Sequence, residues 1–437
     1  MKVRLAILLF CGTLPSSAAQ KPSTIPTATA ESYFAEAQAI CQADDGRLWG
    51  ISLCGPMMFV DPDSRFIVAS HADGRGVLKP EDGAFIGVLP TDQVMANTAT
   101  EWSGVPWTQI IWPLPLDKSQ RDTLIAHELF HRIQPEIGLA PIRSGDNVQL
   151  DILDGRYTIE LEWRALTRAL EARSDTERRQ AAQDALLFRA ERYRIFPKAA
   201  ATERALERNE GLAEYTGVRL GNPTSAQQTD AALRDLSEHA KDSTFVRSFA
   251  YATGPAYGLL LDRCDSGWRQ AMKLGAAYDL LLANSLAFHP PAQLHAAFEQ
   301  RASAYDDGPL LKAEQQRDAI RQQRLAILRK QFIDGPTLTL PLKHMQVQFD
   351  PRTLQPVDNA GTVYPDMHIV DDWGTLYART GALVTPDWSA AIVAAPASVA
   401  FDSGTRVKGD GWTLDLRPGW KIVPGTRKGD FVVQPTS

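Results

Sequence analysis

Asp117-Lys118-Ser119-Gln120-Arg121-Asp122-Thr123-Leu124-Ile125-Ala126-His127-Glu128-Leu129-Phe130-His131-Arg132-Ile133-Gln134-Pro135 reads as one helix with both ends marked. It opens on a carboxylate suited to capping, with glutamine three residues on, and closes on a proline that cannot continue a helix. Leu124, Ile125, Leu129 and Ile133 recur at helical spacing, so one side of the helix is expected to seat in a core. His127 and His131, four residues apart, then share a face and can reach one metal ion. Glu128 projects beside that ion, where a carboxylate can take a proton from bound water. Immediately upstream, residues 107–112 read as a β-strand, so a strand runs into the helix and a cleft can form at their junction.

A catalytic zinc has three protein ligands and an open position. Asn209-Glu210-Gly211-Leu212-Ala213-Glu214-Tyr215 offers Glu210 as the third, while Ile159-Glu160-Leu161-Glu162-Trp163 offers Glu160 and Glu162 as alternatives nearer to His131. H-E-x-x-H followed by N-E-G-x-A resembles the gluzincin metallopeptidases, particularly their aminopeptidase N-like branch. The resemblance implies that His127, His131 and Glu210 bind zinc and that Glu128 is the general base. It also implies that Glu214, one turn beyond Glu210, hydrogen-bonds a ligand histidine from behind. Tyr251-Ala252-Thr253-Gly254 resembles the Y-x-x-G element of the same branch, which would make Tyr251 the donor to the oxyanion of a tetrahedral intermediate. Tyr257 is its rival. Two departures stand out. His131 and Glu210 are 210 − 131 = 79 residues apart, so an insertion must leave and return; residues 157–170 and 176–194, both helical in pattern, supply it. The G-x-M-E-N element, which holds the free amino end of a substrate in true aminopeptidases, is missing, so the resemblance does not extend to that activity.

Residues 1–19 read as a secretory leader: Lys2 and Arg4, an apolar centre at 5–10, and Ser17-Ala18-Ala19 before Gln20. Its apolar part is too short to span a bilayer, and Phe10 before Cys11 is wrong for a lipoprotein site. The expectation is an exported chain, periplasmic or extracellular, without an integral membrane segment. Of the four cysteines, three follow the leader. Cys41 and Cys54 either pair or stay as two buried thiols; Cys264 has no evident partner. A net charge of −6 with both signs interspersed leaves no nucleic-acid footprint. The arginine-rich stretches 178–179 and 321–329 read as solvated helix faces.

The organisation expected is α+β, with a zincin-like region (an N-terminal mixed sheet plus a helical bundle) and a C-terminal all-β domain. Residues 20–45 should hold a flexible Ser/Thr/Pro/Ala-rich segment to 30 and a short helix at 31–41. Residues 46–116 should be β-rich, with strands at 48–53, 57–60, 66–70, 83–89 and 107–112. A helical domain carrying the metal site follows at 117–334. Composition changes at Gly335-Pro336, and 335–437 reads as a β-sandwich or small barrel, with strands at 338–342, 345–349, 374–383, 390–395, 412–416, 420–423 and 431–434. Trp373, Trp388, Trp412 and Trp420 are expected in its core rather than on a binding platform. The function expected is an exported metallopeptidase with one Zn2+ per chain and a peptide or protein substrate. A zinc hydrolase acting on another carbonyl, and a non-catalytic binding protein on the same scaffold, are the alternatives.

Overall fold

The computed structural model describes residues 4–5, 25–91, 93–142, 145, 147–306, 308–350, 353–396 and 405–436. The leader expected at 1–19 lies outside them, apart from β1 (Arg4–Leu5), which pairs in parallel with Gln346–Val347. The chain divides into two units, one of residues 15–90 and 97–314, the other of 1–14, 91–96 and 315–437. The division falls inside the helix Pro309–Arg329 rather than at 334/335. Composition changes at Gly335, but backbone contacts change earlier, within an unbroken helical pattern. The architecture is mixed α and β: an N-terminal sheet, a helical bundle, and C-terminal strands in sheets.

In the larger unit α1 (Thr27–Asp44) begins inside the segment expected to be flexible. Pro26 stands at its N-cap with an extended backbone (φ −65°, ψ 117°), and the alanines that follow are strong helix formers. Cys41, on α1, is disulfide-bonded to Cys54 with their Cα atoms 5.1 Å apart. The loop between them holds turns where a strand was expected at 48–53, because Gly46 and Gly50 take left-handed φ of 71° and 85°. A six-stranded sheet follows, made of β2 (Met57–Val60), β3 (Phe66–Ala69), β4 (Lys79–Glu81), β5 (Ala84–Val88), β6 (Thr98–Trp102) and β7 (Val105–Ile111), in the order β4-β5-β3-β2-β7-β6. Only β2 and β7 run parallel. β4 and β6 were not expected, since their Lys, Glu and Thr residues lack a strand-like apolar alternation. β6 is recruited by a two-residue hairpin, Ser103-Gly104, with φ of 51° and 77°.

β7 leads to α2 (Lys118–Ile133), whose first turn is capped by Asp117 accepting from the Gln120 amide at 2.9 Å. Such a cap is worth about 1 kcal/mol. Next come α3 (Leu153–Glu171), α4 (Asp175–Ile195) and α5 (Ala199–Leu206), then a π-helical turn at Glu207–Gly211 that opens directly into α6 (Leu212–Gly221). α7 (Ser225–His239) and α8 (Phe249–Cys264) complete the helices that matter for the site.

α6 lies backbone-to-backbone on α2. A Cβ at Gly217 would stand 2.5 Å from the Thr123 carbonyl oxygen, and one at Gly221 would stand 2.5 Å from the Thr123 amide nitrogen. Where α8 meets the π-turn the approach is closer still, for a Cβ on Gly254 would stand 2.2 Å from the Gly211 oxygen. The glycines of N-E-G and Y-x-x-G are therefore contact points between backbones.

In the smaller unit the strands form two sheets, one containing the hairpin Met367–Asp371 with Gly374–Ala378, the other containing Thr337–Pro341 beside Ala390–Ala394. The single strand expected at 374–383 breaks at Gly381, with φ 102°, and continues as Ala382–Val384 in the other sheet. Trp373 and Trp412 are buried and tie the sheets together, donating to the carbonyls of Pro341 (2.7 Å) and Ala394 (2.9 Å). Trp388 is buried against Tyr364, and Trp420 is half-buried.

Gly254→Ala is expected to cost about 1–3 kcal/mol, since the methyl meets backbone that cannot yield. Thermal denaturation of the variant beside wild type measures it, and an unchanged midpoint would contradict the close approach.

Candidate metal centre

α2, the π-turn with α6, and α8 bring their motif residues to one point. His127 Nε2 and His131 Nε2 lie 3.1 Å apart, and Glu210 Oε2 stands 3.7 Å from the first and 3.4 Å from the second. The other ring nitrogens are engaged: His127 Nδ1 donates to Glu214 Oε2 at 2.6 Å and His131 Nδ1 to Gln134 Oε1 at 3.0 Å. With those tautomers fixed, the two Nε2 lone pairs and the Glu210 oxygen face one another, an arrangement that needs positive charge among them. Their spacing matches the edges, about 3.3 Å, of a tetrahedron whose zinc bonds are 2.0–2.1 Å.

The electrostatics agree with that reading. Burial disfavours charge on His127 and His131, but Glu210, joined at His127 by Glu214, outweighs it and holds both imidazoles above their ordinary pKa. Burial likewise opposes ionised Glu210, yet the two histidines hold its carboxyl well below the usual range. The pocket is thus built for a carboxylate and positive charge together, whether that charge is carried by protons or by a metal.

Glu128 is buried, with Oε1 4.0 Å from His127 Nε2 and Oε2 without a hydrogen-bond partner. Burial raises its pKa, against the pull of the two histidines. The Tyr251 ring stacks on His127, centroids 5.6 Å apart and planes within 1°, and its hydroxyl donates to Glu210 Oε2 at 2.9 Å. Burial and the charge of Glu210 push that phenol well above its ordinary pKa, so it stays a donor.

The alternatives lie elsewhere. Glu162 is fully buried between Arg189 (2.8 Å) and Arg192 (2.7 Å) and accepts from the Tyr257 hydroxyl at 2.8 Å. Arg189 also pairs with Glu207 at 2.6 Å, in the same π-turn as Glu210. Glu160 faces Arg156 at 3.7 Å and lies within the field of the Glu314 carboxylate. Four participants went unread in the sequence: Gln134 behind His131; Asn209, whose Nδ2 donates to Glu210 Oε1 at 2.9 Å; Arg247, whose Nη2 is 3.6 Å from the same oxygen; and His239. The last is hydrogen-bonded to Asp242 at 2.8 Å with its ring 5.8 Å from that of Tyr251. Gln134 sits three residues after His131, and Arg247 one turn before Tyr251, so helical spacing alone could have nominated both.

A second group, His344, Asp371 and Asp372, also clusters potential ligand atoms. Asp371 there accepts the backbone amides of Lys343, His344 and Asp372, which is the work of a turn. Among the described residues no helix is long and apolar enough to cross a membrane. Comparison with family models, curated proteins and solved structures gives no match.

Two outcomes separate the carboxylates. Glu210→Ala is expected to abolish binding of about one zinc per chain, as read by elemental analysis after reconstitution. Glu162→Ala should keep the metal while losing about 3–5 kcal/mol of stability, because it removes the carboxylate that buried Arg189 and Arg192 share and leaves each with a single partner. For Glu160, burial and then the charge of Glu314 push the carboxyl up to about 8 from an ordinary 4.5. The folded state therefore binds more protons between those limits, and stability should fall as pH rises through them. Denaturant midpoints of Glu160→Gln should lack that fall; an unchanged slope would refute the assignment.

Proposed function

We propose that this chain is an exported zinc metallopeptidase of gluzincin type that hydrolyses peptide bonds, with a zincin-like architecture in the larger unit. The observation that carries the reading is the convergence of His127 Nε2, His131 Nε2 and Glu210 Oε2 at 3.1–3.7 Å beside the unpartnered Oε2 of Glu128. Those three atoms would hold zinc, which when bound supplies an acidified water and polarises a carbonyl.

The rest falls to the chain's own side chains. Glu128 Oε2 accepts the proton of the attacking water and delivers it to the leaving amine. Its raised pKa suits the first half of that task, since a carboxylate of higher pKa is a stronger base toward the proton of the water than an ordinary glutamate. Glu214 and Gln134 hold the histidines in the tautomer that leaves Nε2 free. The Tyr251 hydroxyl, bonded to Glu210 in the resting arrangement, is the nearby donor for an oxyanion once it turns from Glu210 to substrate. Burial of His127, Glu128 and Glu210 keeps bulk water from competing for these hydrogen bonds.

Glu128→Gln should retain its zinc and lose peptide turnover by about 10²–10⁴-fold. Elemental analysis and a peptide-library digest check both halves. Wild-type protein that takes up no zinc, or a variant that turns over normally, would overturn the proposal.

A further inference from the structure

Arg247 is the arginine whose charge reaches both Glu210 and Tyr251. It lies one turn ahead of Tyr251, at the entry to α8. Its nearest acidic atom, Glu210 Oε1, is 3.6 Å from Nη2, beyond hydrogen-bond reach, and that oxygen already accepts from Asn209 Nδ2 at 2.9 Å. Arg247 Nε is buried and has no hydrogen-bond partner. A guanidinium is a planar fork of five donors, and leaving one buried and unmade is costly. Glu210 does not need the arginine for satisfaction, since Tyr251 and Asn209 already donate to its two oxygens.

Asn209 presents the complementary gap. With Nδ2 committed to Glu210, its Oδ1 is buried and unpartnered. Arg247 Nη2 and Asn209 Nδ2 both approach the same Glu210 oxygen, so the two side chains that carry an unused donor and an unused acceptor meet at one residue of the candidate cluster. Arg247 and His131 keep 12% and 14% of their side-chain surface open, against 3–4% for His127, Glu128 and Glu210, so they mark the edge through which a substrate enters.

We propose that Arg247 and Asn209 form a carboxylate-reading subsite, so that the substrate carries a carboxylate on the residue next to the scissile bond. Arg247 donates in a fork to the carboxylate, and Asn209 Oδ1 accepts the backbone N–H of the same residue. The carboxylate is either the α-carboxylate of a peptide's last residue, giving removal of C-terminal residues, or the side chain of Asp or Glu. The inference rests on the peptidase reading above, and it is tested by binding so that the two can fail separately.

The protein used is the zinc-reconstituted full chain carrying Glu128→Gln, with and without Arg247→Gln, and metal content is recorded for each. The probes are a neutral acetylated tripeptide with a free C-terminal carboxylate, its C-terminal amide, and an amide bearing Asp at the last position. With Arg247 present, one carboxylate-bearing probe should bind at least about tenfold more tightly than the neutral amide, the scale of one charge-assisted contact. Preference for the free acid assigns the chain end; preference for the Asp amide assigns the side chain. Arg247→Gln should erase the preference and keep the zinc. Equal binding of all three probes, absence of any binding, or a preference surviving in Arg247→Gln would overturn the subsite. Loss of zinc in Arg247→Gln would also overturn it, by showing that the arginine serves Glu210 alone. Turnover of the same peptides by the chain with Glu128 intact tests the peptidase reading independently.

Discussion

The candidate centre depends on backbone touching backbone at glycines. Three separate helical segments must deliver side chains to one point, and side chains are short compared with the usual 8–10 Å between packed helix axes. Gly217 and Gly221 let α6 settle on α2 around Thr123, and Gly211 against Gly254 lets α8 settle on the π-turn. That packing sets Glu214 behind His127 and Tyr251 over Glu210. A methyl at any of these contacts would not remove a ligand, yet it would push apart the elements that carry them.

A second constraint holds the π-turn from its other side. Between α2 and α6 the chain spends two long helices, α3 and α4, whose buried faces carry Glu162, Arg189 and Arg192. Arg189 bridges Glu162 and Glu207, and Arg192 bridges Glu162 and Glu203, so the ion network ends on the same short segment as Glu210. Buried ion pairs contribute little net stability compared with apolar packing, but their geometry is demanding. The insertion is thus a buttress: it fixes where the π-turn sits while contributing no atom to the cluster of His127, His131 and Glu210.

The sequence disclosed the parts of this arrangement whose signals are local. The ends of α2 were legible because Asp117 caps and Pro135 stops, and 57–60 and 412–416 match strands residue for residue because their apolar patterns are complete. Signals that depend on partners were not legible. β4 and β6 are strands only because neighbours pair with them, and the turns at 45–51 follow from glycine φ values that no periodicity announces. In the site, Arg247 went unread because it lies outside every quoted motif, and Asn209, though part of N-E-G-x-A, because the pattern gives it no role. Glu160 and Glu162 were open alternatives because a carboxylate's partner cannot be read from spacing; three buried neighbours, Arg189, Arg192 and Tyr257, decide Glu162's place.

What distinguishes the centre from the other buried charges is how its balance is struck. In the Glu162 network each carboxylate has an arginine, and permanent opposite charges neutralise one another. At His127, His131 and Glu210 the positive partner is a pair of imidazoles, whose charge comes and goes with a proton. A structure that needed only rigidity there would be better served by arginine, as α4 demonstrates. Imidazoles oriented from behind by Glu214 and Gln134 can exchange their protons for a cation without moving, and an unpaired Glu128 oxygen beside them is wasteful in a scaffold but useful where a proton has to travel.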